Sequence, residues 1–120
     1  MWVEEGVVFC IYKENTVFTL KVVETAVKER FSLAEGHVYT MFADIKGLKY
    51  ATKEARAYLK TKGTGKLSAG AFLINSSIVE IIGNYFIKLD KPSIPTKLFT
   101  DQKKALEWLE RFKNQIDLNQ

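Results

Sequence analysis

Residues 7–12 are apolar on both sides of a two-residue alternation, with Val7, Phe9 and Ile11 on one side and Val8, Cys10 and Tyr12 on the other. A strand apolar on both faces is a central strand covered from both sides. Residues 1–4 precede it, and Glu5-Gly6 between them is a tight-turn dipeptide, so the two segments predict a hairpin. After a loop at Lys13-Glu14-Asn15 the period changes to that of a helix over residues 20–33. Leu20, Val23, Val27 and Phe31 fall on one face, Thr19 is placed to cap the start, and Glu35-Gly36 stops the end. Residues 37–45 read as a second core strand. Gly47 turns the chain, and Thr52 caps a short helix that runs to about residue 59.

A loop over residues 61–66 leads to a strand at residues 69–74. Ser77 and Glu80, in capping-box spacing, open a third helix that runs to about residue 89 and stops before Pro92. Residues 96–99 form the last strand. Thr100 or Asp101 then opens a final helix with Leu106, Trp108, Leu109, Phe112 and Ile116 inward. The order ββαβαβαβα predicts an α/β fold: a mixed sheet of about five strands, largely parallel behind the leading hairpin, with about four helices. At 120 residues the chain fits one domain spanning residues 1–120, and halves of it would be too small to bury a core.

Several segments stand out when taken together. They are Ala43-Asp44-Ile45-Lys46-Gly47-Leu48 at the end of a strand, Ile82-Gly83-Asn84-Tyr85-Phe86 in the third helix, and Lys91-Pro92 after it. Pro95-Thr96-Lys97-Leu98-Phe99-Thr100-Asp101 follows, leading into Ala105-Leu106-Glu107-Trp108-Leu109. In this order they resemble the small bacterial proteins of the STAS (anti-sigma-factor-antagonist-like) superfamily, in its uncharacterised single-domain branch. The resemblance covers nearly the whole chain in element order. It implies a STAS-like mixed sheet and a regulatory or protein-interaction module rather than an enzyme. The phosphoswitch of such domains uses a serine in a D-S-S-G-like pattern at a helix start. Here that stretch is Thr52-Lys53-Glu54-Ala55, and the serine is absent. A related likeness, to lipid-transfer domains of the CRAL-TRIO type, implies an apolar ligand cavity instead.

Charge sharpens this picture. Between residues 46 and 66 lie Lys46, Lys49, Lys53, Arg56, Lys60, Lys62 and Lys66 against the single acid Glu54, a local charge of +6 in a chain of net +4. Lys53, Arg56 and Lys60 share a helical face, while Lys46 and Lys49 precede the same helix N-terminus, whose free amides and dipole favour an anion. Together with Thr52 they form the candidate ligand- or partner-binding set, suited to a phosphate, a nucleotide or an acidic protein surface. The alternative is a solvated helix face. In the third helix, apolar residues spread over about 160° of circumference at 100° per residue. Val79, Phe86 and Ile87 are the surplus, available to the last helix or to a second subunit in a homodimer.

The remaining chemistry is sparse. Gly63-Thr64-Gly65-Lys66 lacks both the first glycine and the hydroxyl of a P-loop, since Lys60 and Leu67 stand there. One cysteine, Cys10, in the most apolar strand reads as a buried thiol, and one histidine, His37, in another element makes neither a metal site nor a catalytic pair with it. Asp44 either caps the turn after its strand or orients a ligand. No catalytic residue, cofactor or metal is expected. Nucleic-acid binding is disfavoured because no aromatics are spaced among the lysines. With no spanning-length apolar run and no leader pattern, the expected location is cytoplasmic. The expectation is therefore a non-catalytic regulatory or interaction module. The alternative is a protein that binds a small ligand, either a lipid or a nucleotide.

Overall fold

The computed structural model describes residues 1–76 and 92–118 of the 120-residue chain. In chain order the elements are β1 (Trp2–Glu4), β2 (Val7–Ile11), β3 (Thr16–Phe18), α1 (Leu20–Ala34), β4 (Tyr39–Asp44), β5 (Leu48–Ala51), α2 (Lys53–Thr61), β6 (Leu67–Leu73), β7 (Thr96–Phe99) and α3 (Gln102–Leu118). The main sheet has the order β1-β2-β4-β6-β7. Its first pair is antiparallel, in the register Trp2 opposite Phe9, and the other three pairs are parallel. This is the mixed α/β sheet that the alternation predicts.

The reading of β2 as a central strand is met. Val7, Val8, Phe9 and Cys10 are all buried, because helices cover the sheet on both sides, whereas Ile11, expected on a covered face, is exposed at the strand's end. Alternation divides the core in two. Val7, Phe9, Phe42, Ala69, Ala71, Leu73 and Phe99 meet Ala105 and Leu109 of α3 on one face. Val8, Cys10, Tyr39, Met41, Ala43 and Leu67 meet Ala34 of α1 on the other. No helix among the described residues is long and apolar enough to cross a membrane.

Helix ends follow the cap chemistry. The Thr19 hydroxyl accepts the Val22 amide at 3.3 Å, and that of Thr52 accepts the Ala55 amide at 3.2 Å. Asp101, not Thr100, opens α3, its carboxylate accepting the amides of Lys103 and Lys104 at 2.8 and 3.4 Å. α1 stops where Glu35 and Gly36 both enter the left-handed region, at φ 51° and 80°. Removing the cap in Thr52→Ala leaves a first-turn amide of α2 unsatisfied. It is expected to lower stability by about 1 kcal/mol, seen as a lower urea midpoint at unchanged slope. An unchanged midpoint would mean that packing alone holds that terminus.

Two expectations need correction. Between β2 and α1, and again after Gly47, short segments that read as loop or turn pair as a separate two-stranded parallel sheet, β3 with β5. The Thr52 amide donates to the Phe18 carbonyl at 2.9 Å, so this ribbon also ties the start of α2 to the start of α1. In α1 the buried face is Val23, Val27, Arg30 and Ala34 rather than Leu20, Val23, Val27 and Phe31, and both Leu20 and Phe31 are exposed. The inner stripe is rotated because α1 packs against both the sheet and α2. The helix expected between Ser77 and residue 89, with Val79, Phe86 and Ile87, lies outside the described residues.

A basic-rimmed cleft as the candidate functional site

The rotated face of α1 and the lone stripe of α2 leave a gap above the sheet. A cleft of about 540 Å³ opens there, within the usual range for small-molecule sites. Its floor is the sheet: Met41 and Ala43 of β4, Gly70 and Phe72 of β6, and Thr96 of β7. Gly70 keeps the floor low beside the Met41 methyl, to which an added Cβ would come within 3.5 Å. Tyr12 and Phe18, packed edge to face with centroids 4.7 Å apart, close one end. Pro92 and Ile94 line it from the segment before β7, and the hydroxyls of Ser93 and Thr64 meet at 3.1 Å beside them.

Charge enters the cleft from the helices. Lys53, Arg56 and Lys60 line it from α2 with their side chains exposed, and Arg30 lines it from α1 with 4% of its surface exposed. No carboxylate side chain is among the described lining residues. The Arg30 guanidinium donates through Nη1 to Met41 Sδ at 2.9 Å and through Nη2 to the carbonyl of Gly63, while its Nε has no partner among the described residues. Gly63 is a glycine for a reason visible here. A Cβ would sit 2.8 Å from the Leu59 carbonyl oxygen, so only glycine lets the loop approach α2 closely enough to present its own carbonyl to Arg30.

The described thiol and phenols on which the Arg30 charge acts are neutral. Burial pushes the Cys10 thiol and the Tyr12 and Tyr39 phenols above their ordinary values, and the positive charge of Arg30 opposes the shift in each case. Tyr39 is itself buried, its hydroxyl near enough to Arg30 for the guanidinium to favour the phenolate but short of a well-formed hydrogen bond. None of the three is an anion near neutral pH.

The basic set expected from the sequence divides. Lys53, Arg56 and Lys60 come together on the cleft, as their helical spacing predicts. Lys46 does not join them; its ammonium lies 3.6 Å from the Asp44 carboxylate, which also accepts the Lys46 amide at 3.1 Å. Asp44 therefore organises the turn after β4. Lys49 is exposed on β5, outside the cleft, and Thr52 serves as the cap of α2. Cys10 is a free, buried thiol, and His37 is exposed after Gly36, past the C-terminus of α1. Arg30, Met41, Phe72 and Ile94 are the site residues that sequence reasoning missed. For Arg30 a signal did exist: Val23, Val27, Arg30 and Ala34 continue a single i, i+4, i+7, i+11 stripe.

Comparison with known proteins agrees with the fold. A crystal structure of an uncharacterised protein of the DUF3478 family from Shewanella loihica PV-4, with a SpoIIAA-like fold, superposes with a TM-score of 0.62. The two chains are 19% identical, and the match covers 82% of each. At that identity the likeness is one of fold, and it supports the STAS-like architecture. No curated protein matches the chain by sequence. Residues 1–113 match the family described as domain of unknown function DUF7793, and the chain belongs to that family.

Proposed function

We propose that this domain is a non-catalytic binding module, regulatory in role, whose ligand is a small anionic molecule with a substantial apolar part. One observation carries the reading: a single cleft combines apolar walls with four cationic side chains and no described carboxylate. Apolar walls favour the loss of water from a hydrocarbon or ring surface. Cations at the rim steer an anion to the entrance and hold it there.

The fluorescent dye 8-anilinonaphthalene-1-sulfonate, which is both aromatic and anionic, is a suitable probe. The folded protein is expected to bind one equivalent saturably, with affinity falling as salt rises. Lys53→Glu with Arg56→Glu is expected to weaken binding by about tenfold, the equivalent of ~1.4 kcal/mol, and to flatten the salt dependence. Lys49→Glu, outside the cleft, should leave it unchanged. Equal affinity in the wild-type protein and the double variant would sink the reading.

A second reading, an acidic protein partner, is favoured by Tyr50. This aromatic side chain is 56% exposed on β5, and tyrosine is enriched among interface anchors. It predicts that Tyr50→Ala with Lys49→Glu abolishes partner binding without altering dye binding.

A further inference from the structure

Arg30 is a buried cation without a counter-ion among the described residues. The described ion pairs are Lys46 with Asp44 and Lys113 with Glu110, and neither includes it. Its Nη groups donate to neutral acceptors, a thioether and a carbonyl, so no described residue pairs with the charge itself. The titratable groups on which its charge acts, Cys10, Tyr12 and Tyr39, are held neutral by burial. Glu29 precedes Arg30 in α1 and its charge reaches Cys10 and Tyr12 as the weakest influence on each, but it is exposed and forms no ion pair with Arg30 among the described contacts. Burying an unpaired charge is among the costliest arrangements a fold can hold. A surface position one step around α1 would have removed that cost.

We infer that Arg30 is the built-in counter-ion for the carboxylate of a single-chain, fatty-acid-type amphiphile, whose hydrocarbon tail lies in the same cleft against Met41, Ala43, Phe72 and Ile94. This rests on the reading of the cleft as a ligand site and specifies its head group and orientation. A tail-first ligand would satisfy the rim cations and leave Arg30 unpaired. A head-first carboxylate brings one negative charge to one buried positive charge and offers an acceptor to the free Nε–H. A phosphate dianion or a nucleotide would carry more negative charge to that depth than a single guanidinium can balance, and either is better served at the solvated rim. Lys53, Arg56 and Lys60 then act as an entrance funnel, and the apolar floor accepts the chain as water leaves.

The test uses cis-parinaric acid and its methyl ester, two fluorescent probes that share a chain and differ in charge. The wild-type protein is expected to bind the acid more tightly than the ester by about tenfold or more, the size of one desolvated charge-assisted contact. Arg30→Met keeps the length of the stem and removes the buried charge, a replacement that such sites tolerate; it should bind acid and ester equally. Arg30→Lys should recover part of the preference. Equal affinity of the wild-type protein for acid and ester, or an acid preference that survives in Arg30→Met, overturns the assignment of Arg30. If the dye of the preceding section binds while both parinaroyl probes fail, the head-first lipid is wrong and the cleft reading stands; if none binds, both fall. Should Arg30→Met not fold, the carboxyl resonance of [1-13C]myristate bound to the wild-type protein decides. Its titration is expected to be displaced to lower pH than that of the free acid, and an undisplaced titration would refute the contact.

Discussion

Leu109→Ala is expected to lower the unfolding free energy by about 2–5 kcal/mol, a large part of the roughly 5–15 kcal/mol typical of a domain. Leu109 is fully buried on α3 and points at the face of the sheet where Ala69 and Ala71 bring the helix close. Around it stand Val7, Phe9, Phe42, Leu73 and Phe99. Those neighbours belong to four strands of one hydrogen-bonded sheet, so they cannot collapse together into the space a missing isobutyl group leaves. The cost is therefore both lost transfer energy and a retained cavity. Urea unfolding followed by far-ultraviolet circular dichroism reads it as a fall in midpoint at constant slope. Leu106→Ala, on a side chain only partly buried at the margin of the same cluster, should cost clearly less. If the two variants lose equal stability, α3 is not seated on the sheet through Leu109.

Gly47→Ala is the second large effect, and its origin is backbone rather than side chain. Gly47 is buried in the turn between β4 and β5, where the chain leaving β4 passes the chain leaving β2. A Cβ there would stand 2.6 Å from both the Tyr12 carbonyl oxygen and the Lys13 carbonyl carbon, with the Lys13 oxygen closer still. Main-chain atoms cannot rotate aside, and the Gly47 carbonyl also accepts the Thr16 amide at 3.2 Å, which anchors β3. The turn must therefore move as a unit, pulling β5 off β3 and loosening the Phe18, Val23 and Ala55 cluster beneath α2. Overpacking of this kind costs about 1–3 kcal/mol, and the upper end applies where no side chain can yield. Gly65→Ala is the contrast, since its Cβ meets only the ring tip of exposed Phe31, at 3.3 Å, and that ring can swing into solvent. A thermal midpoint for Gly47→Ala equal to that of Gly65→Ala would refute the crossing as described.

What could be read from the chain beforehand was whatever local physics decides. Residues 7–11 announce a doubly covered strand because no polar residue interrupts them, and Thr19 and Thr52 announce helix starts through their hydroxyls. Lys53, Arg56 and Lys60 share a face by spacing alone, and the structure puts all three on the cleft. The ribbon of β3 and β5 was hidden because three or four residues beside Asn15 or Gly47 carry no period of their own. Thr16–Phe18 is extended because Leu48–Ala51 is there to pair with it. Arg30 was hidden for a different reason: its residue type argues for solvent and outweighed its place in the stripe of Val23, Val27 and Ala34, which α1 packs against α2 and the sheet. Residue type thus misled at the position where the site departs from ordinary core design, which is where such departures are expected.

The spatial order β1-β2-β4-β6-β7 follows the order of the main-sheet strands in the sequence. During synthesis from the amino terminus, each newly emerged strand finds its docking edge already exposed on the one before it. No strand of this main sheet has to be inserted between two that have already paired; only β3 of the small ribbon waits, for β5. The loops closed at each step are only as long as one intervening connection, which keeps the entropic barrier of every addition small. The antiparallel hairpin of β1 and β2 closes within residues 2–11, so the most local pairing of the sheet is also the first in chain order.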